Sequence, residues 1–265
     1  MVRPSSNMNL FRPTIAVLIF LANSLPAQTS TAPLPPLATV IQHALDRAAA
    51  EDDNDREFNR NYHYERIRLT EYRNGKGELK KHEEKRTPEG AGKAKPAPVV
   101  APQPVEKDAP LSETHSNIHG KAFAVKDYSL TNLISRFEFT LVGREIVNGR
   151  SALVLDFQPA DRKLPVNSYK DYFINKAAGR VWVDEADYAI ARADLHLTQQ
   201  VNVLGGLAGA VWKFTYSFER DRTPEGLWFS RHVDWHLEGR EVIFHRIVDY
   251  HEQKINEQKV LPPAR

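Results

Sequence analysis

The sequence predicts a mainly β protein of the α+β class, an antiparallel sheet with helices packed on it. Three observations carry this. Apolar and polar residues alternate over long runs, above all from Gly205 to Tyr250, as half-buried strands require. Asn148-Gly149, flanked on both sides by strand formers, is a two-residue hairpin turn pair. Apolar residues recur at helical spacing in only two stretches, Leu37–Ala48 and Tyr128–Phe137.

In chain order, Arg3 and Arg12 precede an apolar run from Thr14 to Leu25, followed by Pro26-Ala27-Gln28. Residues 1–27 therefore read as a secretory signal peptide, with an uncleaved anchor as the alternative. The run is shorter than the roughly 20 apolar residues of a spanning helix. Cleavage leaves a soluble, periplasmic or otherwise exported chain. Residues 28–36 are a proline-rich, flexible lead-in. Leu37, Val40, Ile41, Ala44, Leu45 and Ala48 form one helical stripe, and the helix is expected to end in the acidic run Glu51-Asp52-Asp53. Acids at that end oppose the macrodipole and should fray it.

A long hairpin follows from Phe58 through the turn Asn74-Gly75-Lys76-Gly77. Tyr62, Tyr64 and Tyr72 share one of its faces, and Ile67 and Leu69 the other. Its second strand is charged, as edge strands often are. Residues 87–110 carry six prolines among alanines and lysines, too few apolar groups to offset ordering entropy, and are expected to be a disordered insert. Asp127 caps the expected short helix, whose stripe is Leu130, Leu133, Ile134 and Phe137. The Asn148-Gly149 hairpin comes next, then a polar loop from Asp161 to Tyr169. The meander continues through a tight turn at Glu185-Ala186.

In the last meander, Trp212, Phe214, Tyr216 and Phe218 share a face of the first strand. Leu227, Phe229, Val233, Trp235 and Leu237 do so in the second, and Val242, Phe244, Val248 and Tyr250 in the third. Gly239-Arg240 reads as the turn between the last two. That register sets Leu237 beside Val242, Trp235 beside Phe244 and Val233 beside Arg246. Alignment of the apolar faces sets Trp212 opposite Trp235 and Phe218 opposite Phe229. A one-residue slip would turn these rings into water.

Composition narrows function. The chain has no cysteine, hence no disulfide framework and no acylated cysteine to anchor it. The formal charge is +2, and residues 1–27 contribute Arg3 and Arg12 with no acid, so the remainder is neutral. A neutral chain of mixed signs gives no electrostatic case for nucleic acid. There is no Gly-x-Ser-x-Gly elbow and no phosphate-cradling glycine loop, and no cofactor is expected.

The order helix, long hairpin, short helix, followed by FEFTLVGREIVNGRSALVLDFQP, GRVWVDEADYAIAR, GLAGAVWKFTYSFER, GLWFSR and VDYHEQK, resembles LolA-like outer-membrane lipoprotein-sorting proteins. The resemblance covers residues 37–257 outside the proline-rich insert, which stands where relatives have ordered strand, and leaves 258–265 as a tail. It implies an incomplete, curved antiparallel β-barrel with helices covering its concave face, and no catalysis. The implied role is binding of lipid or acylated lipoprotein in an apolar cavity. The alternatives are an envelope sensor or scaffold that binds another protein, and a metal-dependent hydrolase.

The candidate cavity residues are Trp212, Phe214, Tyr216, Phe218, Phe229, Arg231, Val233, Trp235, Phe244, Arg246 and Val248. Arg231 and Arg246 interrupt the apolar face. Together they could hold a carboxylate or phosphate, or they pair with acids or reach the rim. On the opposite face His232, Asp234 and His236 project together, and the expected register adds His245. These are possible metal ligands, or simple cross-strand His–Asp pairs.

Overall fold

The structure, a computed structural model, describes residues 32–91, 133–203, 209–241 and 243–260, apart from the side chains of Asp52, Tyr169 and Val203. Two helices come first, α1 (Leu37–Ala49) and α2 (Glu51–Asn61). The hairpin β1 (Tyr62–Asn74) and β2 (Leu79–Gly90) follows, then β3 (Phe137–Val147) and β4 (Arg150–Pro159). A short helix α3 (Tyr169–Ile174) leads into β5 (Ala177–Asp184) and β6 (Ile190–Leu197). The chain finishes with β7 (Val201–Val203), β8 (Gly209–Arg222), β9 (Trp228–Glu241) and β10 (Phe244–Lys259).

All ten strands join one antiparallel sheet in the order β2-β1-β10-β9-β8-β6-β5-β4-β3, with β7 also paired to β8. The sheet stays open, with β2 and β3 as its two edges. Most neighbours are neighbours in sequence. Besides β6, which pairs with β8, the exception is β1, which pairs with β10 along its length, from Tyr62↔Lys259 to Asn74↔Arg246. Among the described residues no helix is long and apolar enough to cross a membrane.

The turn pair in the β3–β4 connection forms as expected: Asn148 and Gly149 have φ of 48° and 75°, the two positive values a type I′ turn needs. Both helices lie on the same face of the sheet, called here the helix face. Val40 of α1 is fully buried against Leu153, Leu155 and Val183, with Leu37, Ile41 and Ala44 around it. The α1 stripe thus covers the β3–β5 end. At the other end Phe58 of α2 stacks on Phe229, centroids 4.5 Å apart, and packs against Tyr62 and Tyr64.

The acidic run does not end α1. The chain turns at Ala50 and Glu51 begins α2, so Glu51 and Asp53 sit where the helix dipole favours negative charge. Asn54 then ties α2 down: its side chain accepts the Trp228 N–H at 3.0 Å and donates to the Trp228 carbonyl.

Three further expectations are corrected. Strand β2 runs through Thr87 to Gly90, with Thr87 opposite Arg66 and Glu89 opposite Tyr64, so the first residues of the expected insert are sheet; residues 92–110 lie outside the described residues. So do Asp127 and Leu130. Phe137 begins β3 and is not part of a helix. Lys170 to Phe173, read as meander, lie in α3, whose Asp171 carboxylate accepts the Asn167 and Ser168 N–H groups at 2.7 Å each and pairs with Arg136 at 2.9 Å. The signal-peptide residues also lie outside the described set.

Candidate functional site

The registers of the last meander differ from expectation in an instructive way. Glu241 pairs with Phe244, so the turn comes three residues later than Gly239-Arg240. Leu237 therefore pairs with Val248, Trp235 with Tyr250 and Val233 with Glu252. The shift keeps the parity of the pairing, so each residue stays on its expected face while its partner changes. Gly239 is an in-strand residue. A Cβ there would run into the carbonyl oxygen of Ala210 on β8, so its role is close approach of strands.

Strands β8 and β9 pair through Phe214↔Leu237, Tyr216↔Trp235 and Phe218↔Val233, with bulges on either side. One bulge is at Trp212, the other at Arg231, the residues skipped by the pairing. The expected Trp212–Trp235 and Phe218–Phe229 pairs therefore do not form.

Following these pairs across the sheet gives rows of side chains on the helix face. One row runs Phe157, Gly179, Leu195, Tyr216, Trp235, Tyr250 and Thr70. Another runs Phe214, Leu237, Val248 and Tyr72, and a third runs Ala193, Phe218, Val233, Glu252 and Arg68. The result is an aromatic floor between the sheet regions held by α1 and α2. Trp235 stacks on Tyr250 at 5.2 Å and 13°, and Tyr216 meets Phe218 edge-on at 6.1 Å. Phe214 is 4% exposed. Burial, with the nearby Glu252 carboxylate, pushes the Tyr216 hydroxyl up to about 12.

The structure thus brings together Phe214, Tyr216, Phe218, Val233, Trp235 and Val248 from the expected cavity set. It separates the others. Phe229 is sealed under Phe58. Trp212 is 40% exposed and sits edge-on to His245 at 4.8 Å, while Phe244 is 62% exposed at the β9–β10 turn. Arg246 lies opposite Gly239, eight positions along β9 from Arg231, or roughly 26 Å at about 3.3 Å per residue. The two arginines cannot share a headgroup. Arg231 pairs with Asp221 and Glu257, and Arg246 with Glu241 at 3.0 Å.

Sequence reasoning missed a charged group at the far end of the floor. Arg66 meets Glu89 at 2.6 Å, Arg68 meets Glu252 at 3.0 Å, and Tyr250 donates to Glu252 at 2.7 Å. Burial disfavours the Glu252 carboxylate, but the Tyr250 hydrogen bond and the charges of Arg66 and Arg68 outweigh it and hold Glu252 below the usual range. Continuing the alternation of β10 past Tyr250 would have placed Glu252 and Lys254 on this face. Their partners on β1 have no local signal.

The opposite face carries the histidines. His236 Nδ1 lies 2.7 Å from Asp249, His251 pairs with Asp234, and His245 Nε2 lies 3.0 Å from Glu238. The expected His245–Asp234 pair is replaced because the turn moved; His245 stands opposite Arg240, and His232 opposite Gln253. Among the described residues no group of three or more His, Cys, Asp or Glu could hold a metal ion. A trough of about 800 Å³ includes Asp156, Arg180, Asp194, His196, Asp234, His236, Asp249 and His251 in its lining. The same face has an arginine-covered core: Trp182 beside Ala152 and Val154 lies under Arg192 (4.6 Å) and Arg180 (5.9 Å).

An open antiparallel sheet with helices on one face and an aromatic floor between them is the architecture the LolA-like resemblance implies. No protein-family model matches the chain, and no curated protein matches it. Similar solved structures include an outer membrane lipoprotein-sorting protein domain from Vibrio parahaemolyticus, 10% identical over 83% of this chain and 93% of that one, with a TM-score of 0.32. A LolA superfamily protein from Nitrosomonas europaea is 11% identical over 84% and 94%, also with a TM-score of 0.32. The Pseudomonas aeruginosa MucA/MucB complex supplies a chain 11% identical over 80% and 94%, with a TM-score of 0.25. These likenesses are distant, and nothing about ligand or chemistry follows from them.

Proposed function

We propose that this protein is a non-catalytic binding protein of the cell envelope that holds the acyl chain of a lipid or acylated lipoprotein on its helix face. The observation that supports this reading is the row Tyr216, Trp235 and Tyr250 with Phe214, Leu237 and Val248 beside it, an apolar floor continuous across β8, β9 and β10. Acyl burial would drive binding at about 0.8 kcal/mol per methylene, and the aromatic rings supply area with little side-chain freedom to lose. The ligand-contacting set is then Phe214, Tyr216, Phe218, Val233, Trp235 and Val248, joined by Leu237 and Tyr250. Export by the signal peptide, expected from Thr14–Leu25, would place the protein where such ligands travel.

Titration with a fluorescent fatty acyl probe tests this, using Trp235→Ala and Tyr216→Ala against a substitution on the other face, Thr215→Ala. Loss of about tenfold or more in affinity for the first two only is expected. Equal affinities for all three variants would move the site elsewhere. A second reading, a scaffold that pairs with a strand of another envelope protein, is favoured by the β3 edge, where Val142 and Ile146 are exposed. Organic extracts free of lipid, with a protein partner retained through purification, would select it.

A further inference from the structure

At the end of the aromatic floor the sheet does something costly. Arg66 on β1 stands directly opposite Lys254 on β10, and like charges directly opposite on one face are destabilising. The Arg66 guanidinium is matched in part by Glu89 at 2.6 Å. Lys254 makes no such contact: its ammonium lies over the rings of Tyr64 and Phe58, 5.4 and 5.8 Å from their centroids, with no carboxylate within ion-pair distance among the described residues. Burial lowers the Lys254 ammonium from its ordinary range and the neighbouring Arg66 charge lowers it further, against the opposing pull of the Glu252, Asp55 and Glu89 carboxylates. Next to it the Arg66 Nε is a buried donor with no hydrogen-bond acceptor, its nearest carboxylate oxygen on Glu252 being 3.6 Å away. Two cationic side chains thus face each other across the β1–β10 pairing, one with a buried donor that lacks an acceptor and the other with no carboxylate in ion-pair distance, although Glu89, Glu252 and Asp55 act on them from farther off. A buried donor left without an acceptor costs roughly 1–3 kcal/mol, and one anionic group between the two side chains would relieve both defects.

The position of this spot relative to the floor identifies the ligand class. Reading along β10 on the helix face, Val248 and Tyr250 are apolar or aromatic, Glu252 is engaged by Tyr250 and Arg68, and Lys254 follows. Successive side chains on one face are about 6.6 Å apart. Tyr250 and Lys254 are therefore roughly 13 Å apart along the strand, a distance an acyl chain of moderate length spans. An apolar floor that ends in a cation with no carboxylate in ion-pair contact fits a molecule with an apolar body and a single negative head.

We propose that Arg66 and Lys254 form a headgroup site for an anionic amphiphile, a carboxylate or phosphate monoester whose acyl part lies on the Tyr216–Trp235–Tyr250 row. The inference rests on the acyl-binding reading above and adds the charge of the ligand and the two residues that read it. Tyr64 and Phe58 position the Lys254 ammonium.

The test compares a fluorescent fatty acid with its methyl ester on the full chain, in the wild type, Lys254→Met and Lys254→Arg. Methionine preserves the packing against Phe58 and Tyr64 without charge, and arginine restores charge. The wild type should bind the acid about tenfold more tightly than the ester, in line with a hydrogen bond to a charged group. Lys254→Met should abolish that preference by weakening the acid alone, and Lys254→Arg should keep it. Equal affinity for acid and ester in the wild type, or equal weakening of both by Lys254→Met, overturns the headgroup site while leaving the acyl floor standing. Binding of neither probe removes the acyl-binding reading and this inference together. Unlabelled dodecanoate and dodecyl phosphate as competitors separate a carboxylate head from a phosphate, and failure of both to compete counts against the site.

Discussion

Replacing Phe58 by alanine should release α2 from the sheet. The helix sequence, EDDNDREFNRN, has little apolar surface, and a segment of eleven residues is too short to hold helical structure unaided in water. Its attachment is the Phe58 ring, 2% exposed, stacked on Phe229 at 4.5 Å and 9° and against Tyr62 at 5.1 Å, together with the Asn54 clamp on the Trp228 backbone. Removing a buried phenylalanine costs about 3–5 kcal/mol, part of it cavity and part the lost ring pairs. Docking of α2 can be lost without global unfolding, so amide exchange is the sharper assay. At about 1.4 kcal/mol per tenfold, residues 51–61 should exchange roughly a hundredfold faster or more, and urea unfolding should show a lower midpoint. A loss below about 1 kcal/mol with unchanged exchange in α2 would refute the assignment of Phe58 as its anchor.

Asp184 makes a pH prediction. Burial would raise its carboxyl, but the Arg150 fork at 2.6 and 2.8 Å and the N–H groups of Asp187 and Ala186 outweigh burial and hold it below the ordinary carboxylate range. Its contribution to stability is therefore complete above about pH 4 and lost as pH falls through the lowered value. Asp184→Asn should lower the thermal midpoint at neutral pH and flatten its acid limb; a parallel downward shift of the whole profile would contradict this. Arg231→Glu faces Asp221 and Glu257, so it should destabilise the fold while fatty acyl affinity per folded molecule stays within twofold or so; unaltered unfolding would count against the ion pairs. Two glycines should respond for different reasons. At Gly149, φ is 75° and an added Cβ meets nothing within 4 Å, so Gly149→Ala should cost about 1–2 kcal/mol of backbone strain alone. At Gly179 the Cβ would strike the Asp194 carbonyl oxygen across the β5–β6 ladder, and Gly179→Ala should cost more, read in the same denaturant series.

How much of this was legible depends on whether the signal was local. The β3–β4 hairpin was, because Asn148-Gly149 needs no knowledge of the rest of the chain. Face assignments in β8, β9 and β10 were legible for the same reason, since alternation is a property of each strand alone. Their registers were not. Gly239-Arg240 resembles a turn, and only the approach of Ala210 from β8 shows that the glycine serves the sheet interior. The bulges at Trp212 and Arg231 leave no mark in the pattern, yet they remove one expected ring from the floor and put an expected cavity arginine in ion pairs. Helix α2 carries too few apolar residues to show a stripe, and its anchor Phe58 acquires meaning only once Phe229 is known to lie beneath it. The charged end of the floor was hidden most completely, because Arg66 and Lys254 meet through the pairing of the first strand with the last.

That pairing also dictates an order of events. The β1–β2 hairpin has one other neighbour in the sheet, β10, and α2 is fastened to Trp228, 174 residues from Asn54 in the chain. As the chain emerges from its N-terminus, the hairpin waits for the last strand and α2 for β9 before the sheet can accept them, closures of high sequence separation and so slow ones. During that interval β1 exposes both an unpaired edge and its apolar residues, the condition in which strands recruit wrong partners. The charges of β2, Lys80, Lys81, Glu83, Glu84, Lys85 and Arg86, cover the outer side of the hairpin meanwhile and discourage other chains from adding to it. Strand β10 acts as the latch of the molecule: until it arrives, the β1–β2 hairpin has secondary structure without a place to dock.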